Sequence, residues 1–286
     1  SWRSKFSPLL HDSLHISPPY CYRCSSKDSH SSCAENFANE FQKIIKQEGA
    51  ENISAFIAEP IIGTSMSAVV PPKGYYEIIR NICDENDILF IADEVMCGMG
   101  RTGKKWGIEH WNVSPDIITT SKGIGAGYSP ISATIFSEKV WGAISSGSGS
   151  TTHSSTYGGN PLSCAVGIAV IDYIEKNDLI SNAEVMGQKL ISKLNEELSD
   201  IPYVGDIRGK GLLIGIEIVS DKVSKAIFDP KLDIAHRIED EARKNGLIIL
   251  SGLPGLVDGV GGDHLELCPP YVIDDEHVEF IVSILK

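Results

Sequence analysis

Asp93 and Lys122 each close a short apolar run, and as a pair they could do amine chemistry. Asp93 lies in the segment from Ile88 to Val95, whose β-branched and aromatic residues predict a buried strand ending on two carboxylates, Asp93 and Glu94. Lys122 follows Pro115 to Ser121, a second predicted strand that delivers the lysine into a glycine-rich turn ending at Gly127. Open α/β sheets place their ligand sites at strand ends. A carboxylate and an amine brought together there suit pyridoxal phosphate. The amine forms the Schiff base, and the carboxylate keeps the pyridine nitrogen protonated so that the ring accepts electrons.

The elements that must position this pair follow from periodicity. Apolar spacing predicts a helix over Ala34 to Gln47, a strand over Ala55 to Glu59, and an amphipathic helix over Gly74 to Asn86. After Lys122 a strand is expected over Ile131 to Phe136, then a Gly/Ser/Thr loop from Ser145 to Ser155. Pro161 suits the first turn of a helix running to Glu175, and another helix spans Ile180 to Leu198. Glycines interrupt strand-like residues between Val204 and Val219, which predicts a hairpin or meander. A helix over Leu232 to Asn245, strands at Leu247 to Leu250 and Leu265 to Cys268, and a closing helix over Asp275 to Leu285 complete the chain. Strand and helix alternation in the first part argues for a mostly parallel α/β sheet. Residues 1–172 are expected to form a large domain and residues 173–286 a smaller α+β domain.

Composition narrows the partners. A hydrophobic share of 42% is enough for a large core, and a net charge of −13 disfavours nucleic acid and anionic membrane surfaces. No apolar run reaches membrane-spanning length. Cys83, Cys97, Cys164 and Cys268 stand singly among apolar segments, which fits buried thiols in a reducing, cytoplasmic compartment. Cys21, Cys24 and Cys33 have the beginnings of zinc-ligand spacing, yet no second C-x2-C follows, so a surface loop with incidental thiols is the expectation and no metal site is assigned. Residues 1–33 are rich in Ser, Pro, His and Cys and predict an irregular surface segment.

Two glycine-rich motifs are decoys. Gly98 to Lys105 nearly spells a nucleotide P-loop, but Lys105 stands where a magnesium-binding hydroxyl is required. Gly123, Gly125 and Gly127 lack dinucleotide-binding spacing.

Taken in order, Ala58-Glu59-Pro60, Asp93 through Gly103, Pro115-Asp116, Ser121-Lys122-Gly123 and Ser155 through Pro161 resemble the class III aminotransferases, pyridoxal-phosphate enzymes of fold type I. The resemblance extends from about residue 8 to the end of the chain. It implies that Lys122 is the Schiff-base lysine and that Asp93 partners the pyridine nitrogen. It also implies that Val95 packs on the cofactor ring, from the same side of the strand as Asp93. Thr156 would reach the cofactor phosphate of a neighbouring subunit, so that a homodimer shares its active sites; the competing role for this serine/threonine run is to cap the helix at Pro161. Glu59 and Arg101 would support the site from behind or form structural ion pairs. His110 and His153 are expected to be satisfied polar residues, because the lysine itself transfers protons in this chemistry.

The departures are informative. Relatives that grip a substrate carboxylate carry an arginine three residues before the Pro269-Pro270 pair, where this chain has Glu266. The glutamate that partners this arginine falls at Thr64, and Met96 replaces a glutamine that in some relatives bonds the cofactor's phenolic oxygen. The family's N-terminal third, with its phosphate loop and ring-stacking aromatic residue, has no counterpart here. The chain is therefore expected to be a fragment. The expected activity is transamination from an amine or ω-amino donor to an oxo acid such as pyruvate or 2-oxoglutarate. Aminomutase, racemase or decarboxylase chemistry on the same residues, or a non-catalytic truncated remnant, are the alternatives.

Overall fold

The computed structural model describes residues 6–10, 13–24, 30–151, 153–252, 255–257, 259 and 261–286. Two four-stranded sheets organise them. The first contains β1 (Ala55–Ala58), β2 (Leu89–Asp93), β3 (Ile117–Thr120) and β4 (Ala133–Phe136) in that spatial order. The first three strands are parallel and β4 returns antiparallel to β3. Parallel neighbours need a crossover, and α2 (Tyr75–Glu85) supplies the one between β1 and β2. Together with α1 (His30–Glu48), α2 buries Tyr76, Ile79 and Ile82 against Phe90, Ile88, Phe41 and Ile45 to form the first core.

Asp116, expected only as part of a motif, pins this sheet. Its carboxylate accepts the Phe90 backbone N–H at 2.8 Å and Arg80 Nη1 at 2.7 Å, and those donors hold its pKa below the usual carboxylate range. The second sheet runs β5 (Val204–Lys210), β6 (Leu213–Ile218), β8 (Asp263–Leu267), β7 (Leu250–Ser251), antiparallel throughout. Leu265 and Leu267 on one face of β8 join the second core with α5 (Leu179–Leu198), α6 (Ile234–Lys244) and α7 (Asp275–Leu285).

Several expectations need correction. A helix, α3 (Glu138–Ser146), occupies the start of the predicted glycine/serine loop. It carries Val140, Trp141 and Ile144 at helical spacing, and Gly147 ends it. Of the strand expected at 247–250 only Leu250 is extended, as the first residue of β7 (Leu250–Ser251). Residues 1–33 are not wholly a surface segment: Tyr20 and Cys33 are buried, with Cys33 Sγ 3.2 Å from Cys24 Sγ, while 1–5, 11–12 and 25–29 lie outside the described residues. Among the lone cysteines Cys83 and Cys97 are buried as expected, whereas Cys164 and Cys268 are exposed. Residue 172, where the division is expected within a long helix, does lie in a helix, α4 (Pro161–Lys176). That helix is capped by Asn160, whose side chain accepts the Ser163 N–H at 3.1 Å, and not by Ser154 to Thr156.

Candidate active site

β2 and β3 lie side by side and parallel, with Asp93 in register beside Thr119. Both strands thus release their C-terminal ends on one edge, Asp93 as the last residue of β2 and Lys122 two residues past the end of β3. The two adjacent carboxylates part company where β2 ends. Glu94 is buried, accepting the Gly107 and Ile108 N–H groups at 2.8 Å each and the Cys97 thiol at 3.2 Å. Its work is to fix the loop that follows, and burial raises its pKa against those hydrogen bonds. Asp93 stays at the strand end, where one oxygen accepts the Val95 N–H at 3.1 Å. Because β2 stops at Asp93, Val95 lies in a turn, so the two residues do not share a strand face.

Lys122 is exposed and sits at φ 40°, a left-handed conformation that non-glycine residues adopt at a cost of roughly 1–3 kcal/mol. The surroundings impose it. Ser121 Oγ donates to Ile131 O at 3.1 Å, and a Cβ on Gly123 would lie 2.9 Å from Met99 Cβ, so the turn is pressed against the loop after Asp93. The lysine ammonium lies against Met96 Sδ, the residue that replaces the family's glutamine. No carboxylate forms a salt bridge with Lys122 among the described residues. Its nitrogen is held near acids without being neutralised by any one of them.

Lys122 is within electrostatic reach of two carboxylates, Glu59 and Glu266, and Asp93 is in turn within reach of Glu59. Glu59, just past β1, accepts the Gly63 N–H at 2.7 Å; burial raises its pKa, the charges of Asp93 and Glu266 raise it further, and Lys122 opposes them. Glu266 on β8 is only 2% exposed, and burial raises its pKa against the influence of Thr64, Cys268, Lys122 and Arg101. Arg101 forms no ion pair among the described residues. Its Nη1 donates to Leu212 O at 3.0 Å and Pro269 O at 2.6 Å, and its guanidinium stacks 4.5 Å from the Tyr271 ring centre. It therefore ties the loop after Asp93 to the second sheet.

The remaining candidates separate from this cluster. Thr156 is exposed in the turn before α4. His153 is exposed too, whereas His110 Nε2 is 3.1 Å from Thr102 O, and burial lowers its pKa, as suits a satisfied polar residue. Gly98 to Lys105 forms turns and bends that lead into a short 3-10 helix, Gly107–Trp111, and open no α-helix, unlike a P-loop. The contact of Met96 and Met99 with the lysine turn escaped sequence reasoning, since a methionine in a loop carries no periodic signal.

The class III aminotransferase family model matches residues 1–286. The chain belongs to that family. It is 40% identical over 284 residues to an uncharacterized aminotransferase, YodT, of Bacillus subtilis, spanning 99% of this chain and 64% of that protein. It is 37% identical to a taurine–pyruvate aminotransferase of Bilophila wadsworthia over 88% of this chain and 56% of the relative. An amine transaminase from an uncultivated Pseudomonas species, solved in its pyridoxal-phosphate-bound form, superimposes with a TM-score of 0.87 at 36% identity, covering 94% of this chain and 60% of that one. The fold is that of the pyridoxal-phosphate-dependent transaminases, and the chain spans about 60% of the length of this neighbour.

Proposed function

We propose that this chain carries the lysine and aspartate of a pyridoxal-phosphate transaminase that moves an amino group from an amine or ω-amino donor to an oxo acid such as pyruvate or 2-oxoglutarate. The observation that carries this reading is the delivery of Asp93 and Lys122 to one edge by neighbouring parallel strands. Such a donor set fits the cofactor: an accessible amine on a rigid turn for the aldehyde, and a carboxylate beside it for the ring nitrogen. When bound, pyridoxal phosphate supplies an electron sink for the carbon that loses its proton.

The chain's own residues do the rest. Lys122 would hold the cofactor and, once displaced by the donor amine, take and return the proton at the reacting carbon. Asp93 would keep the ring nitrogen charged, its position fixed by the Val95 N–H. Val95 would lie against the ring. Glu94 and Arg101 hold the loop between these groups in place. Lys122 is suited to both proton-transfer duties because its nitrogen touches a thioether and not a carboxylate. Reduction of the purified full-length holoprotein with borohydride, followed by peptide mapping, tests the assignment: the cofactor mass should appear on Lys122, and its appearance on another lysine or on none overturns the reading, the latter in favour of a non-catalytic remnant.

The same proposal includes a cytoplasmic homodimer with shared sites, in which Thr156 serves the phosphate of the opposite subunit, and a division of the chain near residue 172. The exposure of Thr156 on its turn supports a role toward another chain. Mixed dimers of Lys122→Ala and Thr156→Ala chains should regain activity above either parent, since one of the two sites then holds both native residues. No recovery in verified heterodimers would remove Thr156 from the site.

A further inference from the structure

The face of the second sheet that looks toward Lys122 is acidic and incompletely paired. Leu265 and Leu267 point into the second core, so His264 and Glu266 occupy the opposite face of β8. That face meets the turn from Thr64 to Ser67: Arg208 donates to Ser67 O at 2.9 Å and to Met66 O at 2.7 Å, and a Cβ on Gly215 would lie 1.9 Å from Ser67 O. Gly215 is the residue directly across from Glu266, and the lack of a side chain there lets the Ser67 carbonyl close on that strand.

Within this junction Glu266 is 2% exposed, and its Oε2 has no hydrogen-bond partner among the described residues. Its other oxygen meets the Cys268 thiol at 3.5 Å, and the Thr64 side chain also favours the charged carboxylate. A buried carboxylate oxygen without a donor is costly and is rarely left so. Arg101, the cation of the neighbourhood, spends its Nη1 on two backbone carbonyls. Lys122 influences Glu266 and Glu59 alike but bonds neither. Arg208, the other cation of this junction, is engaged with Ser67 O, Met66 O, Asp206 and Glu217, so among the described residues no cationic side chain hydrogen-bonds Glu266.

We propose that Glu266, backed by Glu59, receives a second ammonium group of the amine donor, so that the preferred donor class is the aliphatic diamines: one amine reacts at Lys122 while the other pairs with Glu266. The proposal rests on the transaminase reading above, since the reacting amine must be the one that meets Lys122. An ammonium offers three N–H donors and a full charge, which satisfies the orphaned oxygen and offsets the repulsion between the two buried carboxylates. A donor carboxylate at the same place would meet like charge.

The test compares diaminobutane, n-butylamine and 4-aminobutyrate as donors to the full-length holoenzyme, with pyruvate as acceptor. The three share chain length and differ in the distal group. Diaminobutane should exceed n-butylamine in kcat/KM by at least about tenfold, chiefly through KM, as a buried charge-assisted contact implies. In Glu266→Gln that ratio should fall by about tenfold, and half-saturation of the single-turnover spectral change should move to higher diaminobutane concentration. Glu59→Gln should reduce the ratio less, and serves where Glu266→Gln does not fold. Equal use of diaminobutane and n-butylamine, or preference for 4-aminobutyrate, overturns the proposal even when borohydride labels Lys122. If Lys122 is not labelled, the transaminase reading itself has failed.

Discussion

Two charged clusters sit on either side of the junction between the sheets, and they are built to opposite ends. Around Glu217, which is fully buried, the Tyr20 hydroxyl, Arg23 Nε at 2.6 Å and Arg208 Nη1 at 3.1 Å all donate to one carboxylate. Arg208 also bonds Asp206, Ser67 O and Met66 O. That cluster is closed: its charges find partners in the chain, and it ties the segment around Tyr20 to β5 and β6. Around Lys122 the arrangement is open. Among the described residues the ammonium bonds only a thioether, and Glu266 keeps one oxygen without a partner. Self-satisfied charges stabilise a fold, whereas charges left short of partners are available to a ligand.

The largest test of that contrast removes Lys122. Lys122→Ala in the full-length protein should reduce transamination at least about a thousandfold, because nucleophile and base vanish together. Its thermal midpoint should hardly move, since an exposed side chain with no ion pair contributes within about 0.5 kcal/mol. Lys122→Gly should be as inactive and slightly more stable, the left-handed φ of 40° being natural to glycine. Retained turnover, or a large loss of stability, would erase the distinction between the clusters.

Glu217→Ala should give the reverse pattern. Two guanidiniums lose a shared buried partner, which costs about 3 to 5 kcal/mol. Urea denaturation should reveal the loss, while the folded fraction retains its Lys122 chemistry. If stability is unchanged, the cluster is not the structural tie its geometry implies.

Asp93→Asn comes next in size. The variant keeps the acceptor for the Val95 N–H and so the turn, but loses the charge that would hold the ring nitrogen protonated. Turnover should fall about a hundredfold, in the range of a lost electrostatic stabiliser, with faster release of cofactor. Unchanged turnover would leave Asp93 with a structural duty only.

The unequal legibility of these regions in the sequence has physical causes. Asp93 and Lys122 stood out because β-branched runs mark strand ends locally, and β2 and β3 formed where those runs lie. Glu266 was visible as a substitution in a motif, but not as a buried orphan, since its surroundings come from β6 and the Thr64 turn, far away in sequence. The Glu217 cluster was not legible at all: its partners Tyr20, Arg23 and Arg208 are brought together only by tertiary packing, and the Ser/Pro-rich composition of the first residues suggested a surface segment. Helix α3 was hidden by the serines and glycines that follow it, which outweighed its apolar spacing. Val95 was placed on a strand that had already ended, because alternation carries no signal for where a strand stops.

The smallest expected effect concerns the neighbour of Glu266 on β8. His264 is fully buried, and burial, reinforced by the charge of Arg208 and opposed by the Thr64 backbone, lowers its pKa to about 4. An unfolded histidine titrates near 6.5. The folded state therefore binds fewer protons than the unfolded state between these values, and His264 contributes stability that is present above pH 6.5 and is lost progressively as the pH falls toward 4. Glu59 and Glu266 act in the other direction: their raised pKa values make their contribution favourable at low pH and lost as the pH rises through them. The wild-type slope is the sum, so the variant difference isolates the histidine. His264→Asn should lessen the loss of stability between pH 6.5 and pH 5 by about 2 kcal/mol, read from urea midpoints at each pH. An identical pH slope in both proteins would mean that His264 finds a partner for its proton, and that the face shared with Glu266 is better satisfied than its geometry indicates.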